Sequence, residues 1–271
     1  MPLVLFRIMQ SKIAIIGGSG VYDLFKKAEN VSSKTPYGKV DNIVKAKHGN
    51  KEIYFLPRHG PKHSVPPHLI NYKANIYALY KLGVKQIFAT NAVGSIDRGI
   101  NPGEFVVPDQ IIDMTKNRET TFFDGSTSFS FDDKSKRGGV VHLDYTDPYC
   151  PNLRNMYIRA VEDIGEMIHT KGVHICSEGP RFETPAEIIM YQKLGGTVVG
   201  MTTVPEAVLA RELKMCYATL CLITNYGAGM QEKVSHEEVV ELFKHKTKQI
   251  KEIMKKIIAS KTVPLDCKCN V

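Results

Sequence analysis

The stretch Val199-Gly200-Met201-Thr202-Thr203-Val204-Pro205-Glu206 marks the junction between a predicted strand and a predicted helix. Residues 197–200 are typical of a short buried strand, and residues 205–213 are typical of a helix. Two threonine hydroxyls therefore fall at the start of a helix, where unpaired backbone N–H groups attract an anion such as phosphate. A strand that leads directly into a helix is also the repeating unit of α/β proteins.

The preceding stretch is Ser177-Glu178-Gly179-Pro180-Arg181-Phe182-Glu183-Thr184-Pro185-Ala186-Glu187, and it leads into a second helix predicted over 184–194. Phe182 offers a flat apolar surface, and Glu183 offers an acceptor for N–H groups. A planar heterocycle with N–H donors, such as a purine, suits this pair. The two stretches together favour an enzyme that holds a purine beside an inorganic anion.

The same alternation of strands and helices continues on both sides of these stretches. Further strands are predicted over 12–17, where the strand leads into a glycine turn, and over 43–46, 53–56, 86–90, 104–107, 110–113, 173–176 and 216–224. Further helices are predicted over 67–82, 153–168 and 235–260. Residues 115–148 are polar and lack periodicity, so we expect a functional loop or one that covers a subunit. We predict an α/β fold in which residues 1–271 form a single domain, with a central mixed β-sheet flanked by helices.

Polar side chains gather where the predicted strands end, which is where α/β sheets place their binding sites. Gly17-Gly18-Ser19-Gly20 allows close approach of backbone to an anion, and Arg58-His59-Gly60-Pro61-Lys62-His63 is dense in cations. Thr90-Asn91-Ala92-Val93-Gly94-Ser95 and Thr224-Asn225-Tyr226-Gly227 end two further strands. Each motif alone is also typical of a ligand-free turn or a solvated loop. Several anion-binding turns without a nucleophile indicate chemistry by positioning and electrostatics.

The composition limits the classes of partner. The net charge is +8, but the cations are dispersed apart from the helix over 244–256, and they are not interleaved with aromatic residues. We therefore expect no nucleic-acid partner, since an anionic small substrate explains the charge equally well. No apolar run reaches the ~18 residues of a membrane helix, so no membrane partner is expected. Residues 1–9 lack the basic region of a signal peptide, which favours a cytoplasmic location.

Six cysteines fall into two groups. Four lie among apolar residues and are typical of small buried side chains, namely Cys150, Cys176, Cys216 and Cys221. Cys267 and Cys269 stand in the tail over 261–271 with one residue between them. This is not the spacing of a structural zinc site, which needs a second pair, so no metal site is expected. A disulfide within the tail is an alternative, since intracellular disulfides occur in hyperthermophiles.

Taken together, these motifs resemble those of the trimeric nucleoside phosphorylases, which comprise 5′-methylthioadenosine phosphorylases and 6-oxopurine nucleoside phosphorylases. The resemblance covers residues 12–260. It implies a nucleoside phosphorylase-like fold, a homo-oligomer that is a trimer or a dimer of trimers, and attack of phosphate on C1′ of a purine nucleoside. No metal or organic cofactor is implied, because inorganic phosphate is a co-substrate.

The resemblance also implies roles for particular residues. The phosphate site would consist of Ser19, Arg58, His59, Asn91, the backbone N–H of Ala92, and Thr202. The nucleoside site would consist of Phe182, Glu183, Met201, Asn225, Tyr226, Gly227, His236, and His142 lent by the neighbouring subunit. The catalytic residues would be His59, at the phosphate, and Asn225, which would donate to N7 of the departing purine.

Three positions separate the two subfamilies. Methylthioadenosine phosphorylases carry Asp-x-Asp at the end of the base-binding strand, serine after the stacking Phe, and an apolar residue that faces the 5′ group. This chain has Asn225-Tyr226-Gly227, Glu183 and His236 there. Glu183 can accept from N1–H of hypoxanthine or guanine, which adenine lacks, and His236 suits a 5′-hydroxyl. We predict phosphorolysis of inosine and guanosine in purine salvage, with methylthioadenosine phosphorolysis as the alternative.

Two further classes are weighed against a phosphorylase. A nucleotide-binding dehydrogenase would use the turn at Gly17, but the third glycine of G-x-G-x-x-G falls on Asp23. Its acidic ribose ligand would be Asp41, which follows the predicted turn at Tyr37-Gly38. A basic nucleic-acid-binding protein would show a steep inverse dependence of binding on salt.

Overall fold

A computed structural model describes residues 12–17, 28–60, 63–260 and 267–270 of the chain. Its strands, in chain order, are β1 (Lys12–Gly17), β2 (Ala28–Thr35), β3 (Gly38–His48), β4 (Lys51–Pro57), β5 (Val84–Ser95), β6 (Phe105–Val106), β7 (Gln110–Met114), β8 (Ser128–Ser130), β9 (Lys136–Gly138), β10 (Ile168–His169), β11 (Val173–Ser177), β12 (Val198–Gly200) and β13 (Cys216–Tyr226). Eleven of them form one mixed sheet in the order β10-β6-β13-β5-β1-β4-β3-β2, with a branch from β5 through β12 and β11 to β7. Strands β8 and β9 form a separate hairpin.

Helices cover both faces of this sheet. They are α1 (Tyr72–Lys81), α2 (Pro151–Glu162), α3 (Pro185–Lys193), α4 (Thr203–Glu212) and α5 (His236–Ala259), with short 3₁₀ turns at Pro67–Leu69 and Lys268–Asn270. Helices α2 and α5 pack together against one face of β13, and α1 and α4 pack together on the other face. Within the described ranges, no helix is both long and apolar enough to cross a lipid bilayer.

Strand β1 shows why the sheet is buried on both sides. Its side chains alternate between the two cores, so that Ile13 and Ile15 pack with α2 and α5 while Ala14 and Ile16 pack with α1 and α4. All four are at most 1% exposed. A strand covered on both faces appears in the sequence as a continuous apolar run, which is the pattern that predicted it. The predicted fold class, a single α/β unit with a central mixed sheet, is confirmed.

A gap opens along one edge of β5. On this edge β5 pairs with β1 as far as Ala89, and it pairs with the antiparallel β12 only from Gly94 onward. Residues 90–93 therefore have no strand partner on this side among the described strands, although β13 pairs with them on the other side. The ends of β1, β4 and β12 surround the gap, so polar groups from several chain segments can meet there.

Several elements differ from the sequence-based expectation, and strand β2 was not predicted at all. The helix predicted over 153–168 is α2, which ends at Glu162, because Gly165 turns the chain at φ +73° and Ile168 then pairs with β6. The segment 115–148 contains the β8–β9 hairpin, and it is bound to its own chain. The Glu212 carboxylate accepts from Thr121 Oγ1 and from the Phe122 backbone N–H, both at 2.6 Å.

Candidate active site

Three of the predicted anion-binding motifs meet at the gap beside β5. Arg58 follows β4, Asn91 lies in β5, and Thr202 precedes α4, and all three are at most 8% exposed. Arg58 Nη1 donates to the Thr90 carbonyl at 2.6 Å, and Thr202 Oγ1 lies 3.5 Å from Asn91 Oδ1. Ser19, predicted to join this group, lies outside the described residues. The cluster is a compact set of donors fixed on strand ends.

Arg58 is held by a carboxylate to which the sequence analysis gave no role. Glu206 of α4 accepts from Arg58 Nε at 2.6 Å and from Nη2 at 2.9 Å, and it also accepts from the Tyr217 hydroxyl at 2.6 Å. Burial lowers the pKa of Arg58, but the Glu206 charge outweighs this and raises the pKa above its ordinary value. Among the described residues, three of the five guanidinium N–H donors are used, so two remain for an anion.

Asn91 supplies the clearest sign of a missing partner. Its Nδ2 is fully buried and has no hydrogen-bond partner within the described part of the chain. The Thr202 hydroxyl is also not used to cap α4, although Thr202 is the N-cap residue. Buried polar groups are almost always paired, so an unpaired amide N–H indicates that a ligand completes the site. Its neighbours Arg58 and Thr202 favour an anion.

The backbone of β5 contributes to the same gap. The Thr90 carbonyl faces the gap, because it accepts from Arg58. N–H and C=O groups alternate sides along a strand, so the Ala92 N–H lies on the side of the Thr90 carbonyl. Ala92 also falls within 90–93, the stretch without a partner on that edge. This position agrees with the role predicted for the Ala92 N–H.

A buried histidine that the sequence analysis did not single out lies beneath this cluster. A Cβ on Gly200 would lie 2.7 Å from His174 Nε2 and 3.1 Å from Asn91 Nδ2, so only glycine allows β12 to approach this closely. Burial, and then the charge of Arg58, lower the pKa of His174 to about 3, which keeps the ring neutral. The ring contacts Thr203 Oγ1 at 3.2 Å and thereby supports the start of α4.

His59 is neutral, and its hydrogen bonding is restricted. Its Nδ1 lies 2.8 Å from the Val65 carbonyl, which can only accept, so Nδ1 carries the proton. Burial, and then the charge of Arg58, lower the pKa of His59 to about 4. From the sequence, His59 is expected to bind phosphate as part of a motif that is dense in cations. The structure instead offers neutral Nε2 as an acceptor, suited to a P–OH group or a sugar hydroxyl.

A row of three imidazoles links this cluster to the start of α5. The ring of His63 lies 4.3 Å from that of His59 and 6.1 Å from that of His236, measured between centroids. His236 is the first residue of α5 and is exposed, with Ser235 capping the helix by accepting from the Glu238 N–H. His236 therefore lies beside the cluster of Arg58, Asn91 and Thr202, which it reaches through His63 and His59. Its contact with the 5′ group stays a prediction.

The residues predicted to bind the base gather three positions further along β5. A bulge in β13 between Ile223 and Asn225 sets the direction of the Asn225 side chain. This side chain lies against Gly94, where an added Cβ would be 3.2 Å from Asn225 Nδ2. Asn225 Oδ1 accepts from Thr224 Oγ1 at 2.9 Å, and Nδ2 donates to the Tyr226 carbonyl at 2.8 Å. Because Thr224 fixes the oxygen, the second N–H of the amide has no partner among the described residues.

Glu183 is oriented by the end of β11. Ser177 Oγ donates to Glu183 Oε1 at 2.6 Å, and burial raises the pKa of the Glu183 carboxyl. Phe182 precedes it and is partly exposed, so its ring remains available to a ligand. Met201 lies against the same loop, since a Cβ on Gly179 would fall 2.6 Å from its sulfur.

Two glycines let α3 bring this loop next to Asn225. A Cβ on Gly227 would lie 2.9 Å from Ile188 Cδ1, and one on Gly229 would lie 2.7 Å from Pro185 Cβ. The start of α3 therefore packs directly on the backbone that follows Asn225. A capping box between Thr184 and Glu187 fixes the first turn of α3 and hence the direction from which Phe182 and Glu183 enter.

Arg118 is a further residue that sequence reasoning missed. It comes from the 115–148 segment, and its Nη1 donates to the Met201 carbonyl at 2.6 Å and to the Tyr72 hydroxyl at 2.8 Å. Its Nη2 donates to the Glu178 carbonyl. Arg118 thus joins the loop that carries Phe182 to the strand–helix junction that carries Thr202. A lone arginine in an aperiodic segment gave no signal of this role.

Within one chain, the side chains of two predicted site residues, Tyr226 and His142, do not reach the cluster. The Tyr226 hydroxyl donates to Asn101 Oδ1 at 2.8 Å, and successive side chains on a strand point to opposite faces, so its ring lies away from Asn225. His142 is exposed on the 115–148 segment, beside Leu143 and Asp144, which line a different cavity with Arg211. A contribution from His142 to a neighbouring subunit stays a prediction.

Comparison with known proteins gives a consistent result. The family model described as phosphorylase superfamily matches residues 12–259. A 6-oxopurine nucleoside phosphorylase of Pyrococcus furiosus is 51% identical over 96% of both chains, and an S-methyl-5′-thioadenosine phosphorylase of Pyrococcus abyssi is 42% identical over 96% of this chain and 95% of its own. The solved methylthioadenosine phosphorylase of Schistosoma mansoni in complex with adenine superposes with a TM-score of 0.83 at 35% identity, covering 92% of this chain and 91% of that one.

Proposed function

Since the chain belongs to the phosphorylase superfamily, we propose that it cleaves the N-glycosidic bond of 6-oxopurine nucleosides with phosphate, releasing free base and ribose 1-phosphate. This makes it a purine nucleoside phosphorylase, a pentosyltransferase. The observation that carries the proposal is the arrangement along β5, where the buried Asn91 side chain lies beside Thr202 with its Nδ2 unpaired among the described residues, and Asn225 lies against Gly94, three residues further along β5.

In the proposed reaction, phosphate attacks C1′ while the bond to the purine lengthens. Positive charge then develops on the ribose and negative charge on the departing base. Phosphate held by Arg58, Asn91 and Thr202 stabilises the ribose charge, and the free N–H of Asn225 donates to N7 of the base. Neutral His59 accepts a hydrogen bond from the phosphate P–OH at Nε2, which orients the nucleophile. No covalent intermediate on the enzyme is needed.

Glu183 carries the preference for 6-oxopurines. Hypoxanthine and guanine have a hydrogen on N1 that a carboxylate accepts, whereas adenine presents a lone pair there. The Ser177 hydroxyl fixes the carboxylate, so discrimination does not depend on a mobile side chain. Placing the adenine lone pair against Glu183 costs about 1–3 kcal/mol, because a buried acceptor is left unpaired.

His236 carries the preference for a 5′-hydroxyl in the same proposal. Its ring continues the row from His59 and His63, so it lies beyond the phosphate ligands at the 5′ side of a bound ribose. We expect the active form to be a trimer or a dimer of trimers in the cytoplasm, with His142 lent to the adjacent subunit. The reaction uses phosphate as co-substrate and needs no metal or organic cofactor.

The experiment that tests the proposal measures release of free base from inosine, guanosine, adenosine and methylthioadenosine, each with and without phosphate. Faster phosphate-dependent release from inosine and guanosine is the expected result. Preference for methylthioadenosine would keep phosphorolysis and overturn the roles of Glu183 and His236. Absence of phosphate-dependent release from all four would overturn the proposed reaction.

A matched pair of variants tests the 5′ contact. His236→Ala is expected to lower kcat/KM for inosine by about 10-fold to 100-fold, the value of one lost hydrogen bond, with a smaller loss for 5′-methylthioinosine. His245→Ala removes an exposed imidazole from the same helix and serves as control. Equal losses for both substrates in His236→Ala would remove His236 from the specificity set.

A further inference from the structure

Four cysteines that are far apart in the sequence meet on the α2–α5 side of the sheet. The sulfur atoms of Cys150, Cys216, Cys267 and Cys269 all lie within 4.8 Å of one another, and all are free thiols. Cys216 Sγ and Cys267 Sγ are 3.3 Å apart. In the sequence, the tail pair lacks the neighbouring second pair that a zinc site needs. The fold supplies that second pair from Cys150 and Cys216.

The separations of the four sulfurs are compatible with a tetrahedral metal site. With a zinc–sulfur bond of about 2.3 Å, the sulfurs of a four-cysteine site stand about 3.8 Å apart. The observed 3.3 Å contact and the 4.8 Å limit bracket this value. A disulfide uses two sulfurs at a time and brings them to about 2.05 Å, so it does not require four thiols to converge. The arrangement therefore favours one ion shared by all four.

The surroundings suit thiolates and give an ion access. Cys150 is the N-cap of the twelve-residue helix α2, where the N-terminal helix charge stabilises a negative sulfur. Cys150, Cys216 and Cys269 are at most 2% exposed, which excludes water from most of the ligand set. Cys267 is only partly buried and, with Cys269, lines a cavity of about 450 Å³ that is open to the surface. An ion can enter from that side.

We propose that these four cysteines bind one Zn²⁺ ion per chain as a structural site. Binding replaces the four thiol protons, which are released to solvent, and involves no change of redox state. The site would attach the C-terminal tail to the start of α2 and to the first residue of β13. It is remote from the phosphorylase chemistry and independent of the proposed reaction.

The test is metal analysis of the whole chain, purified with a reductant, exposed to excess Zn²⁺ and freed of unbound metal by gel filtration. We expect one zinc per chain, with native mass spectrometry showing the corresponding adduct. The metal-free chain titrated with Co²⁺ should develop the visible absorption of tetrahedral cobalt thiolate. The double variant Cys267→Ser/Cys269→Ser should lose the zinc, whereas Cys176→Ala, a buried cysteine outside the cluster, should keep it.

Three results would overturn the proposal. The wild-type chain could carry no zinc after this treatment, or the double variant could retain as much zinc as the wild type. Mass analysis of the chain purified without reductant and with zinc present could instead show loss of two hydrogens per cysteine pair and no zinc. That last result would identify the cluster as disulfides. Because wild-type stoichiometry alone decides two of these outcomes, the test does not depend on the variant folding.

Discussion

Arg58 and Glu206 form a two-point ion pair in the interior, with Nε and Nη2 at 2.6 and 2.9 Å from the two carboxylate oxygens. Both side chains are at most 3% exposed. The pair joins the end of β4 to the first turns of α4, and so it fixes the two elements that carry Arg58 and Thr202. The geometry of the anion site therefore depends on a carboxylate that does not itself face the anion.

Glu206→Gln is expected to lower the free energy of unfolding by about 3–5 kcal/mol, because it leaves a buried guanidinium charge without its partner. Chemical denaturation measures this change. Asp41→Asn is the matched control, since Asp41 pairs with Lys39 at the surface with about half of each side chain exposed, and such pairs contribute about 0–1 kcal/mol. Equal losses in both variants would contradict a special role for the buried pair.

Asn91→Ala is expected to reduce kcat/KM for phosphate by about 10-fold to 100-fold with little loss of stability, since Nδ2 has no protein partner in the described structure. Steady-state kinetics at varied phosphate and thermal unfolding measure the two effects. Asn71→Ala gives the opposite pattern, because Asn71 caps α1 by accepting from the Ala74 N–H and its loss costs about 1 kcal/mol. Unchanged phosphate kinetics in Asn91→Ala would remove Asn91 from the site.

Glu183→Gln should narrow the preference for inosine over adenosine by about 10-fold or more. A glutamine amide can donate to the N1 lone pair of adenine, whereas the carboxylate accepts from N1–H of hypoxanthine. The measurement is the ratio of kcat/KM values for the two nucleosides. Glu162→Gln removes an exposed carboxylate at the end of α2, away from the loop that carries Glu183, so it should leave the ratio unchanged. A changed ratio of kcat/KM for inosine and adenosine in the control variant, with no change in Glu183→Gln, would contradict the role proposed for Glu183.

Acid should destabilise the protein through His174. Its pKa is lowered to about 3 in the folded chain, mainly by burial, against about 6.5 when unfolded. Below pH 6.5 the unfolded chain binds a proton that the folded chain does not, so stability falls as pH drops and levels off near pH 3. The loss is on the order of 5 kcal/mol.

Urea unfolding between pH 7 and pH 4 checks this expectation. The slope of stability against pH should decrease in His174→Gln and persist in His48→Gln, where the histidine is exposed on β3. The buried histidine is not the cause if both variants keep the slope of the wild type.

Features carried by periodicity or by strand ends were predictable from the sequence. The apolar run of β1, the junction at Thr202 and the capping of α5 by Ser235 all depend on neighbouring residues. Contacts between distant segments were not predictable in this way. They include the ion pair of Glu206 with Arg58, the hydrogen bond from Arg118 to the Met201 carbonyl, and the proximity of Cys150 to Cys267. The end of α2 was missed because apolar residues continue at helical spacing beyond Gly165, which alone redirects the chain.

Strand β5 fixes the spacing between the residues proposed to bind phosphate and those proposed to bind the base. Asn91 and Gly94 are three residues apart, which at about 3.3 Å per residue places them about 10 Å apart along the strand. Because β5 stays paired with β13 along this stretch, its backbone pitch fixes the separation between Asn91 and the position of Gly94, against which Asn225 lies. We therefore expect changes of substrate preference to arise from the side chains around Glu183 or His236, while the spacing along β5 stays constant.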